Sequence, residues 1–284
     1  MLRHAALAIE EMPESEGRAW LSRYLDAKLL SARSEALKPA LRASMPALLW
    51  RCALSDNDRR RAASATYVAW LRAVDAPGMP PFGALLGTAC AQRAAAALDA
   101  VAVDLATRRT LDAGDVVPSD PYAFPAEELV SVRVRSDRDR RIAAHTAGLS
   151  RMGLPELEVR GAPAAVREAA RRLLLAVAQR LHALLLERGA SERNVPRKLV
   201  VPLPLEARAE DLTSAVRLRG APCAPALPVG LERGLPQLLG RRLLVVPPAG
   251  AGQTVTAWLY GPALEFLCPE GVPGLATGGK AMTT

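Results

Sequence analysis

The sequence predicts an α+β protein in which an all-helical N-terminal region precedes a mixed or antiparallel sheet with a long packed helix. Three patterns support this prediction. Before about residue 110, apolar residues recur at intervals of three and four, as they do in amphipathic helices. Residues 129–135 then alternate between apolar and polar side chains, which is the period of a half-buried strand. Between residues 163 and 189, a wide apolar stripe indicates one long helix.

The chain has 284 residues, which exceeds the ~100–200 residues of a typical single domain. We therefore divide it into three parts. Residues 1–115 form the helical region, residues 116–268 form the α+β domain, and residues 269–284 form a flexible tail. The boundaries fall where Gly and Pro become frequent, because both residues interrupt regular structure.

Three helical segments are predicted in the first region. The first covers residues 15–53 and is divided into shorter helices at Pro39 and Pro46. The second begins beside polar residues that can cap its free N–H groups, and it extends over residues 55–74. The third is the Ala-rich segment 82–109.

The second region is predicted to be built from strands around the long helix. A linker or ordered loop covers residues 111–127, and the long helix begins near Pro163 and ends at Gly189. The predicted strands are residues 129–135, residues 157–159, an edge strand at residues 198–205, residues 212–218, a buried strand at residues 241–247, and one or two strands within residues 254–267 with a turn near Gly261.

The net charge of +8, from 37 Lys and Arg against 29 Asp and Glu, suits an anionic partner. Most arginines are dispersed along the predicted helices, however, and only two runs are dense. One is Arg59, Arg60 and Arg61, which we take as weak candidates for binding an anion or an acidic partner. The other covers residues 137–141 and is half-neutralised by its aspartates. Nucleic-acid binding therefore remains an alternative that requires both runs on one face, and another protein is the expected partner.

Four cysteines lie far apart in the sequence, at Cys52, Cys90, Cys223 and Cys268. Their spacing contains no CxxC or CxxxC pair, so neither a zinc site nor a redox motif is predicted. No cofactor and no metal are expected, and reduced thiols favour a cytoplasmic location. The most apolar segment, residues 82–106, is interrupted by charged residues, so membrane insertion is not expected. The oligomeric state is left open.

Residues 141–159 carry the polar groups with the greatest chemical potential. His145 could act as a general base if a carboxylate oriented its far nitrogen, and Glu156 and Glu158 are close enough in sequence to supply one. Thr146 and Arg151 are weak binding candidates in the same stretch. The chain lacks a recognisable Ser or Cys nucleophile beside them, so these residues remain candidates without a complete catalytic set.

The same stretch also has a purely structural interpretation. Gly148 and Gly153 permit turns with positive φ, and His145 with Thr146 can tie a loop to backbone groups. Alternation along the following strand places Glu156 and Glu158 on one exposed face, opposite Leu157. That face is either a solvated edge or an acidic surface for a partner.

Residues 145–161, H-T-A-G-L-S-R-M-G-L-P-E-L-E-V-R-G, resemble a pattern of an uncharacterised bacterial domain family: His-Thr-x-Gly-apolar-x-basic-x-Gly-x-Pro-acidic-apolar-acidic, followed by a helix. The family is common in myxobacteria and other high-GC bacteria, and some members resemble proteins encoded near toxin and immunity genes. Members often have His-Gly or His-Asp where this chain has Ala147-Gly148. The resemblance covers residues 127–205 and implies no particular reaction.

These observations predict a non-enzymatic cytoplasmic protein-interaction module of the adaptor or immunity type. The first alternative is a hydrolase or transferase that uses His145 with Glu156 or Glu158. The second is a nucleic-acid binder that acts through its basic patches.

Overall fold

A computed structural model describes residues 30–36, 54–73, 82–111, 126–136, 141–191, 201–212, 224–234 and 242–270. The chain divides into two compact units, Met1–Phe124 and Pro125–Thr284.

The described part of the first unit contains two helices and two small hairpins. The helices are α1, Asp56–Ser64, and α2, Phe82–Leu98; the strands are β1, Leu30–Ala36, paired antiparallel with β2, Tyr67–Ala73, and β3, Val103–Asp104, paired antiparallel with β4, Arg109–Thr110. The hydroxyl of Ser55 accepts the N–H of Asp58 and so caps α1, as the polar residues there predicted.

The prediction of an all-helical first region is therefore wrong at these strands. The segment after α1 is rich in aromatic and β-branched residues, including Tyr67, Val68 and Trp70, which favour a strand over a helix. The third helix ends at Leu98 because Asp99 adopts a left-handed conformation with φ of 47°. Apart from β1, the helix predicted over residues 15–53 lies outside the described residues.

The second unit contains a mixed sheet of six strands in the order β5-β6-β7-β10-β9-β8. All neighbouring strands are antiparallel except β7 and β10. This confirms the α+β prediction for the second region. The strands are β5, Ser131–Ser136; β6, Arg141–Ala147; β7, Glu156–Pro163; β8, Leu205–Arg208; β9, Ala226–Arg233; and β10, Arg242–Val246.

One face of this sheet packs against the long helix α4, Arg167–Ser191, which contacts β5, β6, β7 and β8. Alternate residues of β6 and β7 point into this interface, and burying each large aliphatic side chain contributes about 1.5–3 kcal/mol. The fully buried aliphatic residues here include Ile142, Ala144, Leu157, Val159, Leu173, Leu174, Val177 and Leu181. Three shorter helices complete the unit: α3, Ala126–Leu129; α5, Val255–Tyr260; and α6, Pro262–Leu267.

The segment predicted as one or two strands over residues 254–267 is instead the helix pair α5 and α6. Short apolar runs do not distinguish strand from helix by periodicity, whereas the caps do. The hydroxyl of Thr254 accepts the N–H of Ala257, and Pro262 begins α6 directly after Gly261. The predicted turn near Gly261 is confirmed.

The ends of other helices and strands differ by a few residues from their predicted positions. The helix α4 runs past Gly189 to Ser191, and the edge strand β8 starts at Leu205, after the prolines that were expected within it. The buried strand predicted at residues 241–247 is β10, which lies between β7 and β9. Strand β9 was not predicted, because Pro228 interrupts its alternating pattern. Residues 213–218 of another predicted strand, and residues 271–284 of the tail, lie outside the described residues.

Candidate functional site

Three strands place Arg133, His145 and Glu158 side by side in one row. Arg133 is opposite His145 in the β5–β6 pair, and His145 is opposite Glu158 in the β6–β7 pair. Residues that are directly opposite across a ladder project from the same face of the sheet. A parallel row carries Arg135 and Arg160, both opposite Ala143.

These side chains occupy the face of the sheet that points away from α4. Their neighbours along β6, Ile142, Ala144 and Thr146, are buried on the α4 side, and side chains alternate between the two faces of a strand. Arg242 of β10 is opposite Glu156 and belongs to the same face as Glu158. We call the residues Arg133, Arg135, His145, Glu158, Arg160 and Arg242 the polar face.

Glu158 is the anionic centre of the polar face. Its Oε2 accepts a hydrogen bond of 2.9 Å from Nη2 of Arg160 and lies 3.6 Å from Nη1 of Arg242. The side chain is only 6% exposed, and burial alone would raise the pKa of this carboxyl. The hydrogen bond and charge of Arg160, together with the charge of Arg242, outweigh burial and lower the pKa. Glu158 is therefore an ionised carboxylate shared by two arginines.

His145 is buried beside Glu158 but is not oriented by it. Burial, together with the positive charges of Arg242, Arg135 and Arg133, lowers the pKa of His145 to about 4, against a smaller opposing effect of Glu158. Within the described residues, the imidazole makes no hydrogen bond. At neutral pH it is thus a neutral ring in a positive field.

The carboxylate of Glu156 is used to build the β6–β7 connection. Its Oε2 accepts the hydroxyl of Thr146 at 2.7 Å, and its Oε1 accepts the backbone N–H groups of Gly148 and Ser150 at 3.0 and 3.1 Å. The prediction that Glu156 and Glu158 share an exposed acidic edge is wrong. Glu158 is buried between arginines, and Glu156 bends towards the loop, where three donors satisfy it.

Gly148 adopts a φ of 123° and Gly153 a φ of 77°, so both turns occur where the glycines predicted them. Between them, Leu149–Met152 forms a 3₁₀ helix that contains the half-buried Arg151. The hydroxyl of Thr146 also accepts the N–H of Leu157 at 2.8 Å, so Thr146 ties the strands together as expected. The imidazole of His145 has no part in this network.

The arginines at positions 59–61 lie in α1 of the first unit. Arg59 donates to the carbonyl of Leu54, Arg60 donates to the carbonyl of Asp56, and Arg61 pairs with Asp58 and Asp99. These contacts bind all three side chains to their own unit. Of the second basic run, residues 137–140 lie outside the described residues.

Sequence inspection did not identify Arg133, Arg135, Arg160 and Arg242 as members of one cluster. The alternation of residues 132–135 did place two of them on one side of a strand. The pairing of β7 with β10, which brings in Arg242, joins segments far apart in sequence and left no local signal.

The chemistry available on the polar face is the binding of anions by guanidinium groups. Among the described residues, no three or more His, Cys, Asp or Glu side chains are grouped so that they could hold a metal ion. None of the described helices combines the length and apolar character needed to cross a membrane. Comparison with protein-family models, curated proteins and solved structures gives no match for this chain.

Proposed function

We propose that the protein is a non-enzymatic interaction module of the adaptor or immunity type that binds another protein in the cytoplasm. The observation that supports this proposal is the engagement of both carboxylates near His145. Glu158 is held by Arg160 and Arg242, and Glu156 accepts Thr146 and two backbone N–H groups. Neither carboxylate is bonded to the imidazole.

The hydrolase or transferase alternative requires His145 to act as a general base, and its surroundings do not favour that role. A general base works best when its pKa is near the working pH and when a partner fixes its tautomer. The pKa of His145 is about 4, which makes the imidazole a weak base. None of the six residues that define the polar face is a Ser or Cys nucleophile.

Binding, by contrast, needs only a surface whose groups are positioned and charged. The polar face offers arginines on three strands, β5, β7 and β10, held in register by the backbone ladders. Arginine is enriched at protein interfaces because its guanidinium group binds carboxylates in a planar, bidentate geometry. Because the strands are already fixed by their ladders, binding requires the ordering of the side chains only and not of the backbone.

Tagged wild-type protein, purified from its native cells alongside His145→Gln and His145→Ala variants, tests the proposal. We expect one protein to co-purify in stoichiometric amount with the wild type and with His145→Gln, since glutamine is also polar and neutral. A bound nucleic acid, detected by absorbance, would contradict the proposal in favour of the nucleic-acid alternative. A turnover that falls by about 10²–10⁴ in His145→Gln would contradict it in favour of base catalysis.

A further inference from the structure

On the basis of the proposed interaction function, we infer that the partner presents an acidic segment, rich in Asp and Glu, and that the arginines of the polar face bind its carboxylates. The inference identifies both the surface of this protein that is used and the chemistry of the segment that covers it.

The charge balance of the polar face leaves an excess of positive charge. Arg135, Arg160 and Arg242 carry three positive charges against the two negative charges of Glu158 and of Glu156, whose carboxylate bends towards the β6–β7 loop. Arg160 and Arg242 share the carboxylate of Glu158, whereas exposed Arg135 has neither a hydrogen bond nor an ion pair within the described residues. At least one positive charge is thus available to an anion, even before Arg133 and Arg141 of the same face are considered.

Further charges on this face lie on β8 and β9, on the far side of β10 from His145. Glu206, Arg208 and Glu232 are all exposed there. Their sum is one negative charge, so the positive excess is confined to the part formed by β5, β6, β7 and β10. An anionic segment is expected to lie over these four strands.

His145 reports the electrostatic potential at the centre of this area. After burial, the largest influences on its pKa are the charges of Arg242 and Arg135, and both lower it. Glu158, its direct cross-strand neighbour, raises the pKa but does not compensate for them. The field at the imidazole is therefore positive despite the adjacent carboxylate, and an incoming carboxylate would be attracted to the same position.

The composition of the surface favours a protein segment over a nucleic acid. Half-exposed Ala143, Ala147, Leu244 and Val246 alternate with the charged residues and provide the apolar contacts typical of a protein interface. The described residues of this face include no Phe, Tyr or Trp on which bases could stack.

The direct test uses NMR of the imidazole groups with a hexaglutamate peptide as the probe, at neutral pH and low salt. The chain has three histidines, and the two described ones serve different purposes. The signal of His145 should shift on addition of the peptide, and high salt should reverse the shift. The signal of His182, buried within α4, should stay unchanged and serves as the internal control.

Charge-neutral variants locate the binding site on the full-length chain. We expect Arg135→Gln and Arg242→Gln each to weaken hexaglutamate binding by about fivefold to tenfold. The matched control is Arg171→Gln, an exposed arginine of α4 whose replacement should leave binding unchanged. Equal effects of Arg135→Gln and Arg171→Gln would overturn the inference, as would an unperturbed His145 signal.

A single-stranded oligonucleotide of equal charge distinguishes the two kinds of anionic partner. Tighter binding of the oligonucleotide than of hexaglutamate would overturn the inference in favour of nucleic acid. Co-purification of a protein partner that persists in an Arg135→Gln, Arg242→Gln double variant would refute this surface and leave the proposed function standing. Hexaglutamate binding to the polar face without any co-purifying protein would support this surface and contradict the proposed function.

Discussion

The hydroxyl of Thr146 donates a 2.7 Å hydrogen bond to the carboxylate of Glu156, at the end of the β6–β7 pair where the connecting loop joins the two strands. The same hydroxyl oxygen accepts the N–H of Leu157, so one side chain links both strands. Glu156 then reaches back to the N–H groups of Gly148 and Ser150 at the start of the 3₁₀ helix. Two of the polar residues that suggested chemistry in the sequence, Thr146 and Glu156, thus stabilise the connection between the strands.

Glu156→Ala is expected to lower the free energy of unfolding by about 2–3 kcal/mol, because three donors lose their acceptor at once. Thr146→Val should cost about 1–2 kcal/mol for the same reason, whereas Thr146→Ser keeps the hydroxyl and serves as the control. Urea unfolding measures all three. If Glu156→Ala were as stable as the wild type, the stabilising role of the Glu156 carboxylate would be refuted.

Local sequence patterns were sufficient to predict those helices and strands that are determined by the residues within the element itself. The alternation of residues 129–135 and the stripe of α4 led to the sheet and its packed helix. The polar face could not be derived in this way, because its arginines come from three strands, β5, β7 and β10, whose pairing is set by long-range contacts. The different contacts of Glu156 and Glu158 could not be predicted from the sequence either, since they depend on which residues lie next to each carboxylate after folding.

The pKa of His145 should respond with opposite signs to two neighbouring substitutions. A nearby carboxylate favours the imidazolium form, so Glu158→Gln should lower the pKa below its value of about 4. A nearby cation disfavours that form, so Arg242→Gln should raise the pKa by about one unit. NMR titration measures both. Arg171→Gln is the control for a general loss of charge, and a fall in pKa in Arg242→Gln would contradict the assigned field.

Acid should destabilise the protein through its two described histidines. Burial lowers the pKa of both His145 and His182 to about 4, from an ordinary value of 6.5. As the pH falls, both imidazoles therefore become protonated in the unfolded chain at a higher pH than in the folded chain, and acid favours unfolding. Stability that is fully present above pH 6.5 is lost as the pH falls towards 4, by up to about 3 kcal/mol for each histidine.

His182→Leu should make this pH dependence shallower, because leucine does not titrate. Urea unfolding at several pH values across that interval measures the slope. Glu158 affects only the acid end of this interval, since its pKa is lowered and its contribution begins to be lost only below the ordinary carboxyl value of 4.5. If the free energy of unfolding of His182→Leu depended on pH as steeply as that of the wild type, the lowered pKa of His182 would be contradicted.

Arg172 connects α4 to the chain segment that follows α6. Its Nη1 donates to the carbonyl of Leu267 at 2.9 Å and lies 2.6 Å from Oε1 of Glu270, while its Nε donates to Glu168 at 3.0 Å. Its side chain is only 9% exposed. Removing one member of a buried ion pair is costly, so Arg172→Leu should lower the free energy of unfolding by about 3 kcal/mol. Arg171→Leu, on the exposed side of the same helix, should change it little.

The neighbouring thiol reveals whether the segment opens when Arg172 is replaced. Burial raises the pKa of Cys268 to about 11, and the charge of Arg172 partly opposes this effect. Loss of the arginine in a closed structure would raise the pKa further and slow alkylation, because only the thiolate reacts. Release of the segment would instead expose the thiol and accelerate alkylation. We expect acceleration, measured by peptide mass spectrometry of Cys268 under native conditions, and slower labelling than in Arg171→Leu would contradict the anchoring role of Arg172.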